Sequence, residues 1–78
     1  MNIYRHSFKA KCPNNGAMID YLLLISSERM IMVEDIQRHT AIDSGYHEAI
    51  ADQLHAALGG RQRLLARHHG TDIETVRP

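Results

Sequence analysis

The sequence predicts an α+β fold of two layers: an antiparallel sheet of four to five strands, in the order β-β-β-α-β-β, with one main helix packed on one face. Three observations carry this. Tyr4 to Cys12 alternates with period two and stops at Pro13-Asn14-Asn15-Gly16. Ser44 to Leu58 is the only long stretch with a helical period. After Gly59-Gly60 the alternation returns and runs to the end of the chain.

In the first strand Tyr4, His6, Phe8, Ala10 and Cys12 share one face, and Arg5, Ser7, Lys9 and Lys11 share the other. Asn15-Gly16 suits the positive φ of a tight hairpin turn, and Pro13 cannot continue a ladder. Strand two is expected over Ala17 to Ile25. Ile19, Tyr21, Leu23 and Ile25 lie on one face and Met18, Asp20, Leu22 and Leu24 on the other. Both faces turn apolar toward its end, as in a central strand or one covered on both sides.

Ser26 to Arg29 reads as a turn. Met30 to Ile36 is expected to be a short third strand, because its apolar run is only four residues. The alternative is a helix from near Ser27 to His39. The main helix sets Tyr46, Ile50, Leu54, Ala57 and Leu58 on one stripe, leaves Glu48, Asp52 and His55 off it, and stops at Gly59-Gly60. Gln62, Leu64, Ala66 and His68 then alternate with Arg61, Arg63, Leu65, Arg67 and His69 as strand four. Ile73 to Val76 makes a short, charged fifth strand suited to an edge.

The 78 residues are expected to form a single domain, residues 1–78, whose core supplies only about 3–5 kcal/mol of net stability. Cys12 is alone, so no disulfide framework adds to it. Pairing with a copy or a partner would. Nine basic and nine acidic residues balance, which argues against a dedicated nucleic-acid or membrane binder. The balance hides a pattern of basic ends and an acidic middle. No apolar run approaches the ~20 residues of a membrane span, and a lone free cysteine without a signal segment fits the cytoplasm.

Candidate chemistry is sparse. His47 and His55 are eight apart, not the four of a chelating pair on a helix, and His68 and His69 point to opposite strand faces. No metal and no cofactor is expected. Cys12 beside a turn reads first as a small buried hydrophobe, and Asp35 as a helix cap. Lys9, Lys11, Arg61, Arg63 and Arg67 give two basic strand faces, which would form one cationic side if adjacent. Neither face carries the aromatics on which single-stranded nucleic acid stacks.

The order hairpin, helices, hairpin resembles the tunnelling fold of pterin and deazaguanine enzymes. Phe8-Lys9-Ala10-Lys11-Cys12-Pro13, with Val33-Glu34, resembles the cysteine-proline and glutamate elements of that group. The likeness covers a few residues of a chain shorter than a full module of that kind, and the functional expectation is drawn from the surface instead. Met18, Leu22 and Leu24, with Met30 or Met32, offer more apolar area than one helix can cover. The expectation is a small non-enzymatic module that binds a protein partner or its own copy as a homodimer. In size and lack of motifs it is similar to inhibitors of host machinery encoded by phages, anti-CRISPR proteins among them. Two alternatives stand beside it. One is a small oligomeric enzyme or ligand binder with a site at a subunit boundary, built from Cys12, Glu34, Glu48 and a histidine. The other is weak nucleic-acid binding through the basic strands.

Overall fold

The computed structural model describes residues 1–78. Its elements are β1 (Asn2–Lys11), β2 (Met18–Ser27), α1 (Val33–His39), α2 (His47–Leu58), β3 (Arg61–His68) and β4 (Thr71–Arg77). The four strands form one antiparallel sheet in the order β1-β2-β3-β4. The α+β class with an antiparallel sheet is as expected. Both helices lie on one face, where Ala10, Ile19, Tyr21, Leu23, Ile25, Leu64 and Ala66 of the sheet meet Ile36, Ile50, Ala51 and Leu54 of the helices.

The first hairpin follows the sequence closely. Gly16 takes φ +74°, its amide donates to the Cys12 carbonyl at 2.8 Å, and the Cys12 amide donates to the Ala17 carbonyl at 2.8 Å. The register puts Phe8 opposite Tyr21, and the alternation then buries Ile19, Tyr21, Leu23 and Ile25. Across the sheet Leu23 faces Leu64, and Ala66 faces Ile73.

The expected third strand does not form, so the sheet has four strands, and two helices replace the single main one. Ser27 explains the departure. Its hydroxyl donates to the Arg29 carbonyl at 2.8 Å and accepts from the Arg29 amide at 3.1 Å, which turns the chain out of the ladder. The Ile31 amide then donates to the Tyr4 hydroxyl at 3.0 Å. Backbone groups that a strand would have paired are thus met by side chains. The acids Glu34 and Asp35 in the first turn of α1 and the basic Arg38 and His39 in its last suit the helix dipole.

The main helix is also phased differently from expectation. Its buried side is His47, Ile50, Ala51 and Leu54, while Tyr46 and Ala57 are exposed. Tyr46 is the residue before the helix, so it lies outside the helical period. At the other end Gln62 Nε2 donates to the carbonyls of Leu54 (3.1 Å) and Gly59 (2.7 Å), fixing the passage from α2 into β3. Arg77 Nε donates to Asp52 at 2.8 Å and ties β4 to α2.

Candidate functional site

The five apolar residues expected to meet a partner fall in two places. Met18, Leu22 and Leu24 lie on the sheet face that no helix covers, Met18 exposed and the two leucines half-buried. Leu22 stands opposite Leu65, and Val76 joins the same face from β4. A shallow groove of about 680 Å³ runs across it, lined by Leu22 and Leu65 with Ser7, Lys9, Asp20 and Glu74. Met30 and Met32 are not strand residues. They project from the loop before α1, beside the end of α2, because the chain has already left the sheet at Ser27.

The basic residues do not form one cationic side. Lys9 and Lys11 belong to β1 and Arg61, Arg63 and Arg67 to β3, with β2 between them. Four of the five meet an acid: Lys9–Asp20 at 3.4 Å, Lys11–Asp43 at 3.9 Å, Arg63–Glu74 at 3.5 Å and Arg67–Asp72 at 3.2 Å. Pairing of this kind leaves little net positive field for phosphates to seek.

A cluster that the sequence did not announce lies on the helix-covered side, at the end of the sheet where β1 finishes. The loop before α2 adds a short parallel contact to β1. The Lys11 amide donates to the Asp43 carbonyl at 2.9 Å and the Gly45 amide to the Lys11 carbonyl at 3.2 Å. This clamp brings the start of α2, with His47 and Glu48, to the end of β1, where half-buried Cys12 sits. Gly45 is needed for the fit, since a Cβ there would stand 2.9 Å from Ile50 Cγ1.

Beneath the clamp Tyr21 stacks on Phe8 with ring centroids 5.1 Å apart, and the rings of His47 and His68 lie 5.4 and 6.0 Å from it. The Tyr21 hydroxyl is buried with no hydrogen-bond partner. Burial raises its pKa, and the nearby Cys12 adds to the rise. His47 Nε2 lies 2.9 Å from the Leu64 carbonyl and Nδ1 lies 3.1 Å from His68 Nε2. Burial lowers the His47 pKa, with the neighbouring His68 acting in the same direction and the Leu64 hydrogen bond opposing.

Tyr21, His47 and His68 are therefore neighbours, with Cys12 near Tyr21 and Glu48 following His47 in α2. Glu34 is not among them. It opens α1 just after Ile31, whose amide is bonded to Tyr4, eight residues back along β1 from Cys12. At ~3.3 Å per residue, Tyr4 and Cys12 stand about 26 Å apart along β1. No three side chains among His, Cys, Asp and Glu gather closely enough to hold a metal ion. The signal for His47 was present in the sequence: it stands three, four and seven residues before Ile50, Ala51 and Leu54 and so shares their stripe.

No family model and no curated protein sequence matches the chain. Among solved structures it is similar to the crystal structure of the archaeosine synthase QueF-Like in the apo form. The TM-score is 0.62 and the identity 9%, over 97% of this chain and 89% of that one. At this identity the likeness is one of fold.

Proposed function

We propose that the chain is the subunit of a small oligomeric enzyme or ligand binder that takes a nitrogen heterocycle of the pterin or deazaguanine kind, with Cys12 as a nucleophile at the site. The observation that carries this reading is the clamp at Lys11, which sets the start of α2 beside Cys12 and over the Tyr21, His47 and His68 cluster. A thiol, two imidazoles and a hydroxyl without a partner are chemistry in excess of what packing requires. The fold likeness to an archaeosine synthase supports it, as does the resemblance of Phe8–Pro13 and Val33-Glu34 to elements of that kind of enzyme. Glu34 reaches a Cys12 only if the Cys12 belongs to a second copy, so this reading places the full site at a subunit boundary.

The test joins light scattering of the purified chain with calorimetric titration of 7-deazaguanine and of pterin. The expected result is a mass of several copies and saturable binding of one heterocycle, weakened at least tenfold by Glu34→Ala. A monomer that binds neither would overturn the reading.

A second reading, the protein-binding module, is favoured by a different observation. The sheet face away from the helices is uncovered and carries Met18, Leu22, Leu24, Leu65 and Val76. On that reading Leu22→Glu abolishes association and leaves the heterocycle site untouched.

A further inference from the structure

The uncovered sheet face is laid out in rows, because the ladder register sets one residue from each strand side by side. One row runs Lys9, Asp20, Arg67, Asp72. Lys9 is opposite Asp20 and Arg67 opposite Asp72, and Asp20 and Arg67 stand one residue beyond the pair Tyr21 and Ala66. The charges alternate across all four strands. The neighbouring row on this face runs Ser7, Leu22, Leu65, Glu74. All of these except Arg67 line the groove of about 680 Å³. The four charged side chains are 68–81% exposed, so their pairing within the chain leaves each of them open to a second partner.

An alternating row of four is its own charge complement when reversed. A second copy brought face to face by a two-fold axis along the strands presents each row reversed, with its β4 over β1 and its β3 over β2. Lys9 then faces Asp72 of the second copy, Asp20 faces its Arg67, and each contact occurs twice. In the neighbouring row Leu22 meets Leu65, and Ser7 meets Glu74. The row beyond, Arg5, Leu24, Arg63, Val76, sets Arg5 on Val76 and Leu24 on Arg63, so no like charges meet there. Packed sheets lie ~10 Å apart, a gap that two leucines fill and that a lysine or arginine reaching an aspartate spans. A two-fold axis across the strands would instead lay β1 on β1 and β4 on β4. Arg5, Lys9 and Lys11 of one copy would then oppose those of the other, as would Asp72 and Glu74. The charge pattern thus selects one of the two sandwich arrangements.

We propose that the uncovered face docks a second copy of this chain in an isologous sandwich of two four-stranded sheets, with Leu22 on Leu65 at its centre and Lys9–Asp72 and Asp20–Arg67 pairs fixing its register. This rests on the reading of that face as a protein-binding surface and names its occupant. It is independent of the heterocycle site.

The experiment is light scattering and sedimentation of the purified chain over a concentration series, with circular dichroism of every variant to confirm the fold. The expected mass is two copies, or a multiple of two where subunits also meet elsewhere, and Leu22→Glu should halve it. Lys9→Asp and Asp72→Lys should each weaken the pairing at least tenfold, since each sets two like-charge contacts across the axis. Both changes in one chain should restore it. Within the chain the double variant keeps the repulsion against Asp20 and against Arg67, and β2 and β3 separate its two sites, so contact between copies is what recovers. A double variant that folds and fails to recover would overturn the inference. So would an odd number of copies, or a mass that folded Leu22→Glu leaves unchanged, which would mean that copies join elsewhere, as at the free edges of β1 and β4. A monomeric parent chain would overturn it too, and the protein-binding reading would then stand or fall on a partner of another kind.

Discussion

His47 is the side chain on which pH acts most directly. Its folded pKa is lowered, first by burial, so the unfolded chain binds a proton more readily than the folded one. Stability is therefore intact above the unfolded value of about 6.5 and is lost as pH falls below it toward the folded value. Urea unfolding at pH 7.5 and pH 5.5 should show the lower midpoint at pH 5.5, and the difference should shrink in His47→Gln. Tyr21 gives the opposite kind of expectation. An unpartnered buried hydroxyl carries a desolvation cost of about 1–3 kcal/mol, so Tyr21→Phe should melt no lower than the parent chain. A drop in melting temperature would mean that the hydroxyl has a structural partner. The inward turn of Tyr21 was legible, because period-two alternation fixes which face a strand residue takes. The pairing of His47 with His68 was not, since it joins a helix to a strand, and sequence spacing says nothing about contacts between elements.

At Gly60 two elements approach closely. Gly60 has φ +74°, and a Cβ there would lie 2.8 Å from the Ser26 carbonyl oxygen. Gly60→Ala should cost at least about 1–2 kcal/mol from the left-handed backbone alone, with the contact adding to it. Thermal unfolding measures the loss, and an unchanged midpoint would mean the β2–β3 junction yields freely. Leu54, 1% exposed under the sheet, should cost about 2–5 kcal/mol as Leu54→Ala. Both hairpins and the main helix could be read from alternation and glycine placement. The segment Met30–Ile36 could not, because four apolar residues in a row fit either period. What decided it was the side-chain bonding of Ser27 to Arg29 and of Tyr4 to Ile31, the second of which joins β1 to the loop after β2. The basic strands misled for a similar reason. Strand order, not strand composition, sets which charges are neighbours, and β2 stands between β1 and β3.

For the whole molecule the governing fact is that one sheet face is covered and the other is not. Leu22→Glu should leave the fold intact, since Leu22 is only half-buried, and should change the scattering mass if the open face joins copies or partners. An unchanged mass with an unchanged fold would clear that face of a role in assembly. No helix here is long and apolar enough to cross a membrane. Of the residues proposed for the site, Cys12 and the Val33-Glu34 element were visible only as a resemblance, and their separation needed the course of the chain from Tyr4 to α1. The strand order has one further consequence, for the time course of folding. Each hairpin closes over a short turn and can form alone, but Leu23 meets Leu64 only after the whole excursion through both helices is drawn shut. Closing that long loop forfeits chain entropy before the contact rewards it. The seam between β2 and β3 should therefore be the barrier-limiting event. Leu64→Ala should slow refolding more than it hastens unfolding, and the reverse partition in a chevron plot would place the seam after the barrier.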